Sequence, residues 1–167
     1  PRYLSINNQH PIWSDGNLRK AVNLAIDRDQ IVSIAYEGGT SASISIFPQY
    51  GSMDQYNSAL EEAGLAAPKT ADVEAAKALI ESSGWALNDD GFYEKDGQVL
   101  TMSILTIEES METRRIGDVV AEQLRNIGID SQPQVLSFGA WLSAQGEDDN
   151  PDDDFEAAVS FLCGGVN

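Results

Sequence analysis

A strand, an amphipathic helix and a second strand follow one another between Val99 and Leu136, and this run constrains the fold more than any other part of the chain. Val99 to Thr106 reads as a strand. Ile116, Val119, Val120, Leu124 and Ile127 then recur on one helical face from about Ser110 until Gly128 closes it, and Ile129 to Leu136 reads as the next strand. Such a unit lays its two strands in parallel with a right-handed crossover between them. Phe155 to Leu162 adds a further apolar strand after a short helix at Phe138 to Gln145. The expected class is α/β, a mixed sheet with a parallel β-α-β crossover and flanking helices.

The first hundred residues supply the flanking elements. Tyr3 to Asn7 alternate as a short strand, and Leu18, Ala21, Val22, Ala25 and Ile26 form the apolar stripe of a helix. Asp27 suits the N-cap of a second helix through Ile31 to Tyr36, which Gly38-Gly39 ends. Thr40 to Met53 has no helical period and reads as a long surface loop, with Phe47, Pro48 and Tyr50 as aromatic or apolar plugs or as a cleft wall. A short helix is expected at Asn57 to Ala63, and a longer one carries Val73, Ala76, Leu79 and Ile80 until Gly84. Gly91 to Gln98 reads as a hairpin with an Asp-Gly turn, its second arm running Val99 to Thr106. The length, 167 residues, suits one folded unit.

Charge excludes whole classes of partner. The chain carries 27 acidic against 10 basic residues, a formal net charge of -17, so nucleic-acid phosphates and anionic lipid surfaces would be repelled. Catalysis finds no foothold either: His10 sits in a turn and Cys163 ends an apolar strand far away in sequence, neither beside an evident base or nucleophile. A lone cysteine also excludes an internal disulfide. The acids Asp148, Asp149 and Asp152 to Asp154 lack the order of an EF-hand loop, and Glu147 to Asp154 reads as a solvated loop. No enzyme activity, cofactor or metal is therefore expected. Arg19 and Arg28 are expected to pair with nearby acids and secure helix ends, Trp13, Trp85 and Trp141 to pack, and His10 to be solvated. The chain has no apolar run of the roughly 20 residues that cross a bilayer. It opens on Pro1 with no basic-then-apolar leader, which suggests a removed leader or an excised piece.

Four segments in order resemble the C-terminal lobe of the solute-binding proteins that serve dipeptide, oligopeptide and nickel ABC importers. The first is Ile6-Asn7, Pro11, Asp15, Leu18 to Ala21, Ala25-Ile26-Asp27-Arg28 and Ile31-Val32. The second is Asp72 to Ile80 with Gly84-Trp85, Asp90-Gly91, Lys95-Asp96-Gly97 and Leu100. Val119 to Leu136 and Asp154-Phe155-Glu156 complete the series. The resemblance implies one lobe of a periplasmic-binding-protein-like fold. It further implies an excised part of a two-lobed receptor that closes on a peptide or similar small solute and presents it to ABC permease subunits. That receptor would work at the periplasmic or extracellular face of the membrane, tethered by a lipid anchor outside this stretch. The alternative is a free-standing sensor or interaction domain built from the same lobe.

Open α/β sheets bind ligands beyond the carboxyl ends of their parallel strands. Two segments qualify, Thr106 to Met111 and Leu162 to Gly165, and they are expected to be neighbours. The candidate ligand contacts are Thr106, Glu108, Glu109, Leu162, Cys163, Gly164 and Gly165, with Tyr50 from the long loop. Glu108 and Glu109 read equally as carboxylates favoured by a helix start, and Gly164-Gly165 as a turn. The resemblance places Leu162 and Gly165 where peptide-binding relatives carry an aromatic residue and an Asp for the ligand's ammonium. That departure admits a solute other than a peptide.

Overall fold

The computed structural model describes residues 2–45, 51–146 and 155–161. In chain order its elements are β1 (Arg2–Ile6), α1 (Gly16–Ala25), α2 (Arg28–Ala35), a 3₁₀ turn (Gly51–Met53), α3 (Asp54–Glu62), α4 (Val73–Ser82), β2 (Ala86–Leu87), β3 (Tyr93–Lys95), β4 (Gln98–Val99), β5 (Thr101–Ile107), α5 (Met111–Asn126), β6 (Asp130–Leu136), α6 (Phe138–Ser143) and β7 (Ala157–Phe161). The larger sheet has the order β1-β7-β5-β6. The expected crossover is present: β5 and β6 run parallel in register from Thr101↔Asp130 to Ile107↔Leu136. Strand β7 is parallel to β5 through Ile104↔Ala157 and Leu105↔Ala158, and β1 is antiparallel to β7.

Side-chain caps start every described helix except α3. The Asp27 carboxylate accepts from the Gln30 N–H at 2.8 Å, Asp72 from Ala75 at 3.1 Å, and the Ser110 hydroxyl from Thr113 at 3.3 Å. Each satisfies a backbone donor that the first turn leaves without a partner. Alternation along β5 then divides the core between its two faces. Met102 and Ile104 join Ile116, Val120 and Leu124 of α5 in the main core, which continues through α1, α4, Trp13 and Trp85. Leu105 and Ile107 face the other way, onto Trp141 of α6.

Helix α5 approaches the sheet closely at one place. A methyl added to Gly117 would fall within 3.0 Å of the Thr106 Cγ2, so glycine is what lets the helix lie on the tip of β5. The start of β5 lies beyond the reach of β7, which begins only at Ala157. There the Glu156 carboxylate accepts the Ser103 N–H at 2.5 Å and the Thr101 hydroxyl at 3.2 Å, doing with a side chain what a further strand residue would do.

Three expectations need correction. The arm from Val99 to Thr106 is not one strand: the Leu100 N–H donates to Tyr93 O at 2.7 Å, within a small β2-β3-β4 sheet, while its carbonyl accepts from Asp130 at 2.9 Å. One residue thus hands the chain from one sheet to the other, with its side chain wholly buried. Arg19 and Arg28 bind carbonyls rather than acids. Arg19 reaches Trp13 O and Ser14 O at 2.7 and 2.8 Å, and Arg28 reaches Ile26 O and Pro68 O at 3.2 and 2.9 Å, tying loop ends to helices. His10 is enclosed rather than solvated: its Nδ1 accepts from the Ile12 N–H at 3.3 Å and its Nε2 lies 3.9 Å from Glu156. The three tryptophans are buried, as packing requires.

Candidate ligand-binding edge

Parallel pairing brings the carboxyl ends of β5, β6 and β7 to one edge of the sheet, and the antiparallel register sets Arg2 opposite Phe161 at that same edge. The β5 and β7 tips are therefore immediate neighbours, while Leu162 to Gly165, expected beside Thr106 to Met111, lies outside the described residues. A shallow cleft of about 340 Å³ opens there, lined by Arg2, Ile107, Glu109, Ser110, Phe138 and Phe161. A larger depression of about 1110 Å³ runs along β1 toward α1, α2 and residues 40–45. Arg2 and Phe161 border both. The smaller cleft is the one at the strand tips, where an open α/β sheet exposes loops and helix starts to a ligand.

The candidate residues fall into three groups. Thr106 is wholly buried: its side chain lies beneath Gly117, and its hydroxyl is 3.5 Å from Gln134 O. It supports the tip from behind. Glu108 and Glu109 are exposed in the turn before Ser110, so they precede α5 rather than occupy its first turn. The Glu108 N–H closes the turn onto Leu136 O at 2.7 Å. Glu109 accepts the Phe138 N–H at 3.0 Å and so serves the start of α6, not of α5. The acid inside the first turn of α5 is Glu112. Leu162, Cys163, Gly164, Gly165 and Tyr50, with Phe47 and Pro48 and the Glu147 to Asp154 loop, lie outside the described residues.

Sequence reasoning missed Arg2, Phe138 and Phe161. The Arg2 guanidinium lies 4.9 Å from the centre of the Phe161 ring, which stacks on Trp141 at 5.8 Å, which in turn stacks on Phe138 at 6.0 Å. Phe138 and Trp141 stand three apart on α6 and so share a face. Arg2 also donates from Nε and Nη2 to Glu112 at 3.1 and 2.6 Å. The hydrogen bond to Arg2 holds the Glu112 carboxyl below its ordinary range, and the same contact raises Arg2. Burial, followed by the Glu112 carboxylate, pushes the Tyr36 hydroxyl well up. The spacing of Phe138 and Trp141 was visible in the sequence; the Arg2–Phe161 pairing depends on strand register, which it does not display.

Residues 1–165 match the family described as bacterial extracellular solute-binding proteins, family 5, middle. The chain belongs to this family. The oligopeptide-binding protein AppA of Bacillus subtilis is 27% identical over 165 residues, which cover 94% of this chain and 27% of that protein. Its structure in complex with a nonapeptide superimposes with a TM-score of 0.73 at 26% identity, over 95% of this chain and 30% of that one. NikA of Brucella suis, solved with Fe(III)-EDTA, shares the fold at a TM-score of 0.77 and 24% identity, again over 95% and 30%. This family 5 chain thus spans less than a third of the length of these relatives. No helix among the described residues is long and apolar enough to cross a membrane, and those residues contain no cluster of three or more His, Cys, Asp or Glu placed to hold a metal.

Proposed function

We propose that this chain is one lobe of a two-lobed extracytoplasmic receptor that closes on a peptide or similar small solute and delivers it to an ABC importer. The observation that carries the reading is the strand-tip edge. The tips of β5 and β7 lie side by side at a cleft lined by Ile107, Phe138 and Phe161, with Phe138 exposed; Met111, next to the cleft-lining Ser110, and Val135, next to the last residue of β6, are exposed as well. Apolar surface gathered at one rim marks a contact surface rather than a solvated end. A shallow cleft on a lobe of this size becomes an enclosing site when a second lobe covers it. Family membership and the peptide-binding and chelate-bound relatives support the same role.

The lobe does not act as a catalyst. Its work is to bind, and its partners are a small solute and the permease subunits that receive it. The receptor works on the periplasmic or extracellular face of the membrane, held there by a lipid anchor outside these residues. Calorimetry and thermal shift on the full-length protein, with peptides, sugars and metal chelates as probes, test the reading. Saturable binding of one class with a rise in unfolding temperature is expected, and no response to any class would overturn it.

A further inference from the structure

We propose that the outer ring of Phe138 is a stacking platform for a ring of the solute, and that this solute carries a positive charge which Glu108 and Glu109 meet. The inference rests on the receptor reading and narrows its solute. Arg2, Phe161, Trp141 and Phe138 form a continuous column across the strand tips, with neighbouring rings 9° and 15° from parallel. Trp141 is buried between its two neighbours, whereas Phe138 ends the column 43% exposed, at the rim of the 340 Å³ cleft.

Phe138 is held firmly for an exposed side chain. Ser137 caps the helix that carries it, Glu109 takes its backbone N–H, and Trp141 backs its ring. A platform fixed in advance loses little freedom when a ligand ring settles on it. Charge supplies the second half of the argument. Glu108 and Glu109 are exposed in the turn whose second residue, Glu109, lines the cleft and holds the Phe138 N–H, and neither has an ion-pair partner among the described residues, while the cation bordering the cleft, Arg2, is already held by Glu112. A cationic group carried beside a ring stacked on Phe138 would be attracted by the carboxylates of this turn. A carboxylate in the same place would be repelled.

The test uses the full-length receptor and three probes in calorimetry: Phe-Ala-Ala, Ala-Ala-Ala and N-acetyl-Phe-Ala-Ala. Phe-Ala-Ala is expected to bind about five- to tenfold tighter than Ala-Ala-Ala, a preference that Phe138→Tyr keeps and Phe138→Ala and Phe138→Leu lose. Acetylation, which removes the charge, is expected to weaken binding about five- to tenfold, and the double variant Glu108→Gln, Glu109→Gln to abolish that sensitivity. Equal affinity for Phe-Ala-Ala and Ala-Ala-Ala would overturn the stacking proposal while leaving the receptor reading intact. So would a ring preference that survives in Phe138→Leu, or binding of sugars or chelates alone. Silence toward every probe class would remove the receptor reading itself.

Discussion

Gly117→Ala tests the closest contact between helix and sheet. Position 117 is inside α5, where alanine in place of glycine would ordinarily stabilise by about 1 kcal/mol through helix propensity. Here the new methyl would lie well within 3.0 Å of the Thr106 Cγ2, and restoring the 3.4 Å of ordinary contact demands a shift of about 1 Å by a side chain that is wholly buried. Overpacking costs about 1–3 kcal/mol, and a clash this deep against a buried side chain takes the upper part of that range, about 2–3 kcal/mol, so after the propensity gain the expected net loss is about 1–2 kcal/mol. That corresponds to about 2–8 °C in unfolding temperature for a domain of this size. Urea titration of the single variant, of Thr106→Ser and of the pair separates steric conflict from any other cause. Serine keeps the hydroxyl and removes the methyl in the way, so the pair should recover about 1 kcal/mol relative to the sum of the singles. A Gly117→Ala protein more stable than the parent, with no coupling to position 106, would refute the packing argument.

Three further outcomes follow from the polar contacts. Glu156→Ala leaves the Ser103 N–H without its acceptor and should cost about 1–3 kcal/mol in urea titration, whereas Glu156→Gln should recover much of that loss. A double-mutant cycle on Arg2 and Glu112, whose side chains remain about one-third accessible, should return a coupling of about 0.5–1 kcal/mol that shrinks in high salt. Because Glu112 titrates below its ordinary value, that stabilisation is present above pH 4.5 and is lost as pH falls through the lowered value. Burial raises the Tyr93 hydroxyl to about 12 and raises Tyr36 as well, so their contribution is complete below pH 10 and declines as pH climbs toward the raised values. Ultraviolet titration of the five tyrosines should show two ionising last, and Tyr93→Phe should remove one of them.

Short-range signals made most of the fold legible. The apolar periods of α1 and α5, the caps at Asp27 and Ser110, and the terminating Gly128 each act within one helical turn, and each lies where its local chemistry puts it. Gly128 adopts φ +101, and a Cβ there would meet Leu87 at 2.9 Å and the Gly91 carbonyl at 3.1 Å, so a single residue ends α5 and admits the small sheet beside it. What escaped detection depends on partners distant in sequence. Leu100 looks like the middle of a strand because its two hydrogen bonds go to different sheets, 7 residues back and 30 residues on. Arg19 and Arg28 sit in an acid-rich chain that invites an ion-pair reading, yet the carbonyls they reach belong to loop ends whose positions only tertiary structure sets.

The same distinction explains why the candidate site was half visible. Strand tips and the Glu108–Glu109 turn can be located from alternation and a cap, because both are features of the chain taken in order. The ring column cannot, since it joins residue 2 to residues 161, 141 and 138 through an antiparallel pair and a helix lying on the opposite face from α5. Its members are nevertheless set by rigid elements rather than by loops: Arg2 and Phe161 by strand register, Phe138 and Trp141 by a helix capped by Ser137 and braced by Glu109. An edge built this way is largely preorganised, so in the proposed receptor any movement on ligand capture belongs between lobes rather than within this one. Hydrogen exchange on the full-length receptor should accordingly show the amides of β5 and α6 equally protected with and without solute. Marked protection gained at Phe138 to Ser143 on binding would mean that α6 folds onto the ligand, and the edge would then be induced rather than ready-made.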